Sequence, residues 1–187
     1  MNNVVLKNED LFSSDKQTIV NTINCVGAMG KGIALEFRHR YPDMYERYRE
    51  LCKRRLIVPG KLWLYKPHGQ NQPWVLNFPT KFHWRNPSKI EYIKDGLQKF
   101  VETYEEKGIV SIAFPMLGTN NGGLDKKEVT ELMFFYLEQC SIPVAIHEAC
   151  RHAHLRHIRS LGAVAGIPVD CRYERCLIVC KRRDSIV

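Results

Sequence analysis

Residues 20–37, VNTINCVGAMGKGIALEF, carry the chain from the apolar run ending at Val20 past Asn21 and Asn24, through Gly27, Gly30 and Gly32, and into an amphipathic segment. A strand that gives way to glycines and then to a helix exposes bare backbone N–H groups at a helix N-terminus. There the orphan donors and the helix dipole favour an anion such as phosphate. The arrangement returns in FPMLGTNNGGLDKKEV, residues 114–129, where a strand runs into Gly118, Gly122 and Gly123 before the next helical pattern. Two such loops facing each other would suit a diphosphate. Neither has the spacing GxGxxG or GxxxxGK[ST], so hydride transfer and ATP hydrolysis lose their usual support.

Around these loops, short apolar runs alternate with helical patterns: NVVLK, QTIVNTIN, a helix from about Gly32, KLWLYK, WVLNF, a helix from about Ser88, IVSIAFPML, a helix from about Asp125, and IPVAIHE. Ile90, Ile93, Leu97, Phe100, Val101 and Tyr104 fall on one stripe of the second helix, and Val129, Leu132, Met133, Tyr136 and Cys140 on one stripe of the third. Asp125 is the expected cap of that third helix, with Glu128 three residues on. Strands such as SIAFPML are apolar on both faces, as when helices cover both sides of a largely parallel sheet. The pattern predicts an α/β domain of three layers, α/β/α, over residues 1–148, with a short basic C-terminal extension over 149–187.

A chain of 187 residues suits one such domain, which can bury roughly 70% of its unfolded surface. With 44% hydrophobic and 26% charged residues it falls outside disordered and collagen-like compositions. No run approaches the roughly 20 apolar residues of a membrane span. The N-terminus lacks a basic region followed by an apolar one, and a cytoplasmic location is expected. Seven scattered cysteines without a secretory context read as reduced thiols. The net charge of +8 favours polyanionic partners, and half of that excess lies in the last 40 residues.

A third polar run, LNFPTKFHWRNPS (residues 76–88), ends a strand with Lys81 at its tip and His83, Trp84 and Arg85 close behind. These residues alone admit two readings. One is a solvated loop with Trp84 as a lid on the core. The other is a lysine aimed at the ligand between the glycine loops, with aromatic and guanidinium planes ready to stack on bases.

VNTINCVGAMGKGIALEF, LNFPTKFHW and LGTNNGGLD, in that order on a βα pattern, resemble the macrodomain family of ADP-ribose binders. Within it they look like the DarG-like branch, antitoxin-type DNA ADP-ribosyl glycohydrolases. The resemblance runs from about residue 3 to residue 148. It implies a mixed central sheet between helices, with ADP-ribose in a cleft across its top and no cofactor. Asp10, with Leu11 beside it, would bind the adenine end. Asn21 and Asn24 would hold the ribose next to the scissile bond. The diphosphate would lie between Gly27, Met29, Gly30, Lys31, Gly32 and Ile33 on one side and Gly118, Thr119, Asn120, Asn121, Gly122, Gly123 and Leu124 on the other.

The resemblance assigns Lys81 as the catalytic residue and gives Asn21 the task of positioning the ribose. An ammonium at Lys81 could stabilise charge as the C1″–N bond breaks; a neutral amine could attack C1″. Asp125 matches a loop aspartate that related glutamyl-ADP-ribose hydrolases use, besides being the expected helix cap. The implied activity is removal of ADP-ribose from thymidine-linked sites in single-stranded DNA, reversing DNA ADP-ribosylation. The alternatives are removal from protein carboxylates and a non-catalytic ADP-ribose reader. A DarT-like toxin is the implied further partner, although some 40 extra residues are too few for the additional domain that contacts it in full DarG proteins.

In the extension, Cys150, His154 and His157 are spaced for one helix face, and Cys171, Cys176 and Cys180 follow. The later spacings lack a standard zinc-knuckle pair. A basic helix plus an edge strand, without metal, is the expectation taken.

Overall fold

The computed structural model describes residues 3–69 and 72–148. The expectations for the C-terminal extension, including its Cys/His cluster, lie outside the described residues.

Six strands form one sheet in the order β1-β6-β5-β2-β4-β3. They are β1 (Val4–Lys7), β2 (Thr18–Asn24), β3 (Trp63–Tyr65), β4 (Trp74–Lys81), β5 (Ile112–Pro115) and β6 (Val144–His147). All neighbours are parallel except β3, which runs antiparallel to β4 at the edge. The helices are α1 (Gly32–Arg40), α2 (Pro42–Lys53), α3 (Ile90–Thr103) and α4 (Lys126–Leu137), with a 3-10 turn at Leu11–Ser13. Among the described residues no helix is long and apolar enough to cross a membrane.

Strand side chains alternate between two cores, as a pleat of period two requires. Ile19, Val75, Ala113 and Ala145 face Phe37, Met44 and Tyr48 of α1 and α2. Val20, Leu76, Ile112, Phe114, Val144 and Ile146 face Ile93, Leu97 and Phe100 of α3 and Val129 and Met133 of α4. This is the expected three-layer arrangement with a mixed sheet. Gly96 of α3 lets the helix lie on β4, since a Cβ there would fall 2.2 Å from the Phe78 ring.

Two helix starts differ from the sequence reading. The segment opening at Gly32 divides at Tyr41, because Pro42 cannot continue α1 but suits the first position of α2. Met44, Tyr48 and Cys52 then recur every four residues on the buried face of α2. Helix α3 begins at Ile90 and not at Ser88, whose N–H donates instead to the Gly122 carbonyl at 2.9 Å.

Because five strands are parallel, the loops that follow β1, β2, β4 and β5 emerge on one edge of the sheet, where ligands gather in open α/β folds. These loops carry Asp10 and the two glycine runs, and Lys81 ends β4 at the same edge.

Candidate functional site

The first glycine loop is folded by Asn24. Its Nδ2 donates to the Ala28 carbonyl at 2.6 Å, and its Oδ1 accepts from the N–H groups of Val26 (3.0 Å) and Ala28 (3.3 Å). The Tyr48 hydroxyl, 2.7 Å from the Asn24 carbonyl oxygen, fixes the loop to α2. Gly27 and Gly32 sit at φ 84° and 60°, where only glycine is unstrained. Met29 is buried, Ile33 half-buried, and Gly30, Lys31 and Gly32 are exposed. Helix α1 has no side-chain cap and no acidic residue in its first turn, so its leading N–H groups stay available to an anion.

The second loop is closed on itself. The Gly123 N–H donates to the Thr119 carbonyl at 3.0 Å, and the Leu124 N–H to the Gly118 carbonyl at 3.1 Å. Gly122 has no space for a side chain: a Cβ would lie 2.0 Å from the Gly118 carbonyl oxygen and 2.4 Å from Ser88 Oγ. Asn120, Asn121 and Gly123 are exposed, and Gly118, Thr119 and Leu124 half-buried. Asp125 does cap α4, its Oδ1 accepting from the Glu128 N–H at 2.9 Å.

Lys81 joins the two loops. The β2–β4 register slips between Ile23 and Asn24, so that Asn24 pairs with Lys81 and not with Thr80. From there the Lys81 ammonium donates to the Asn121 carbonyl of the second loop. Partial burial lowers the Lys81 pKa below the 10.5 of a free lysine. The first loop reaches the same place, since a Cβ on Gly32 would stand 2.8 Å from Asn121 Nδ2. Gly32, Asn121 and Lys81, spread over 90 positions of sequence, therefore meet at one edge of the sheet.

Asn21 lies deeper. It is fully buried, its Nδ2 donates to Asn77 Oδ1 at 2.9 Å, and its own Oδ1 has no partner. Asn77 in turn donates to Met44 Sδ at 3.4 Å. On β1's side of the sheet, Asp10 is exposed and caps the 3-10 turn, accepting from the Phe12 N–H at 3.0 Å, while Leu11 packs into the core. Among the described residues no cluster of three His, Cys, Asp or Glu could hold a metal ion. Cys25, Cys52 and Cys140 are free and buried, and burial pushes the Cys25 thiol up to about 12 and the Cys140 thiol up to about 11.

The Macro domain family pattern matches residues 20–133, which span all of these loops but that of Asp10. The chain belongs to the macrodomain family.

Over 131 residues this macrodomain is 44% identical to the DNA ADP-ribosyl glycohydrolase of Mycobacterium tuberculosis, an alignment covering 70% of the chain and 37% of that relative. It is 38% identical over 161 residues to a Thermosipho africanus DNA ADP-ribosyl transferase-DNA ADP-ribosyl glycohydrolase fusion protein, covering 78% of the chain and 42% of that protein. Its fold matches the solved macrodomain of M. tuberculosis DarG with a TM-score of 0.75 at 40% identity, over 79% of this chain and 97% of that one. The match to T. africanus DarTG in complex with ADP-ribose has a TM-score of 0.76 at 39% identity, over 79% of this chain and 42% of that one. The chain thus spans well under half the length of these curated relatives.

Two residues of the macrodomain site escape a reading of the sequence. Asn77 looks like an ordinary strand residue until β2 and β4 are paired. A polar amide within the apolar run WVLNF was the available signal, since a buried amide demands a partner. Ser88, whose buried Oγ lies against Gly118 and Gly122, gave none.

Proposed function

We propose that this macrodomain is an ADP-ribosyl glycohydrolase that removes ADP-ribose from thymidine-linked sites in DNA, with Lys81 as the catalytic group. The observation that carries the proposal is the placement of the Lys81 ammonium where Gly32 and Asn121 bring the two glycine loops together. A reader of ADP-ribose needs the loops alone; a cation fixed between them can act on charge that moves during bond cleavage. The likeness to proteins named DNA ADP-ribosyl glycohydrolases supports the same chemistry.

In this reading the diphosphate lies between Gly27–Ile33 and Gly118–Leu124, held by backbone N–H groups and the uncapped N-terminus of α1. Adenine sits by Asp10 and Leu11. Asn24 shapes the loop under the distal ribose, and buried Asn21 sets the strand end on which that ribose rests. As the C1″–N bond breaks, its electron pair leaves with the base, and the Lys81 ammonium stabilises that charge. Water adds its oxygen to C1″, and its proton passes to the base nitrogen. Asp125 serves this site through α4, which it caps.

DNA is favoured as the carrier because of the +8 net charge and because Lys81 and Arg85 have no carboxylate within salt-bridge distance among the described residues. A cytoplasmic setting and a DarT-like toxin as the source of the modification belong to the same reading. The test is release of free ADP-ribose from an ADP-ribosylated single-stranded oligonucleotide and from an ADP-ribosylated protein, by wild type and Lys81→Ala. Release from the oligonucleotide that depends on Lys81 is expected. Release from the protein alone would move the activity to carboxylate linkages, and ADP-ribose binding without release from either would make the domain a reader.

A further inference from the structure

The turn that follows Lys81 places two large hydrophobic side chains in solvent beside the reacting lysine: Phe82 is 54% and Trp84 50% exposed. Single exposed apolar side chains are ordinary, but two large rings exposed in one turn, rimmed by cations, mark a surface that meets something. The rings are already arranged. His83 lies against Trp84 with centroids 5.5 Å apart and planes 26° apart, and the Arg85 guanidinium carbon is 4.7 Å from the Trp84 ring centroid.

The turn beneath them is held on three sides. The Phe82 carbonyl accepts from the Cys25 N–H at 3.0 Å, and the Asn86 N–H donates to the His83 carbonyl at 3.1 Å. The Arg85 N–H donates to His83 Nδ1 at 3.2 Å. The charge beside the rings is unneutralised: among the described residues neither Arg85 nor Lys89 has a carboxylate within 4.0 Å. Rigid aromatic planes next to free cations are what a single strand of nucleic acid uses, bases on the rings and phosphates on the cations. The contact of an exposed guanidinium with a ring is weak, so a nucleobase can replace the Arg85 guanidinium on Trp84 with little loss.

The geometry points to residues 82–85 as a stacking platform for the nucleobase adjoining the ADP-ribosylated nucleotide, with Trp84 as the residue that makes single-stranded DNA a better substrate than an isolated modified nucleoside. This rests on the DNA glycohydrolase reading above. The platform lies at the tip of β4, one to four residues past Lys81, so a base stacked there stays within a nucleotide or two of the bond being cut.

Two measurements test it. First, kcat/KM of wild type, Trp84→Ala and Trp84→Phe is compared on an ADP-ribosylated single-stranded oligonucleotide and on ADP-ribosylated thymidine. Trp84→Ala is expected to lose about tenfold on the oligonucleotide and nothing on the nucleoside, with Trp84→Phe restoring most of the loss. Equal losses on both, or none on either, would overturn the platform. Second, binding of a fluorescein-labelled unmodified single strand is followed by anisotropy, which does not depend on catalysis. Trp84→Ala should weaken it about tenfold, and Arg85→Ala should weaken it more at low salt than at high salt. A wild type that binds the strand through Trp84 yet releases no ADP-ribose would sink the hydrolase and leave the platform standing; unchanged binding in Trp84→Ala would sink the platform.

Discussion

The ammonium of Lys81, the last residue of β4, donates to the main-chain carbonyl of Asn121, 40 positions further along the chain. That contact closes the gap between a strand end and a glycine loop, and it leaves the cation partly desolvated.

Lys81→Ala is expected to lower turnover of an ADP-ribosylated oligonucleotide by about a hundredfold or more, while ADP-ribose affinity measured by calorimetry changes only a few-fold. Because burial lowers the Lys81 pKa, the wild-type rate should hold through neutral pH and fall on the alkaline side before pH 10.5 is reached. A rate that instead climbs as the lysine deprotonates would assign the neutral amine as the attacking group.

Gly122→Ala and Gly30→Ala separate packing from loop flexibility. A Cβ on Gly122 would collide with the Gly118 carbonyl and Ser88, whereas nothing stands within 4 Å of one on Gly30. Overpacking costs about 1–3 kcal/mol, so Gly122→Ala should lower Tm by several degrees and weaken ADP-ribose binding. Gly30→Ala should leave Tm within about a degree or two. Thermal unfolding with and without ADP-ribose distinguishes the pair.

Asp125 holds the first turn of α4 through the Glu128 N–H. Asp125→Ala should cost about 1 kcal/mol and roughly 2–4 °C in Tm. Asp125→Asn keeps an oxygen for the cap and loses the carboxylate, so it should match wild type in Tm and stay within a few-fold in turnover. A large fall in turnover for Asp125→Asn at unchanged Tm would give the carboxylate a part in the chemistry.

His147 is 2% exposed at the end of β6, its Nδ1 lies 3.3 Å from the Glu9 carbonyl oxygen, and Nε2 has no partner. Burial lowers its pKa below 6.5, so the unfolded chain binds a proton there before the folded one does. Stability from this group is therefore complete above pH 6.5 and is lost as the pH falls below it. Asp15, held below 3.8 by the hydrogen bond from Lys16, acts in the same direction only in stronger acid. Urea unfolding at pH 5 and pH 7.5 should show a drop at pH 5 that His147→Gln makes smaller.

How far the sequence reaches is visible in individual residues. The helical stripe of Ile93, Leu97 and Phe100 and the alternation of Ile19 with Val20 reveal layers directly, because burial imposes its period on the chain. Strand direction leaves no such mark, and WLY reads alike whether it runs with β4 or against it. The sequence marks the two glycine loops as candidate anion sites, yet their meeting at Gly32 and Asn121 depends on the sheet order. Asn21 reads as a ribose ligand by resemblance; its Nδ2 is taken by Asn77, a pairing visible only once β2 and β4 lie in register, and its Oδ1 has no partner. Asp125 carried two meanings in sequence, and the geometry supplies one of them, the cap.

The slipped register at Ile23 and Asn24 makes Thr80 a spacer. A bulge bends its strand and re-aims the side chain beside it, so deleting Thr80 would straighten the end of β4 and change the angle from which Lys81 reaches Asn121. The hydrogen bonds that close the two glycine loops on themselves do not pass through Thr80. Under the function proposed above, a single codon lies between a domain that cuts and one that only holds, and enzyme and reader can share every other residue of the cleft.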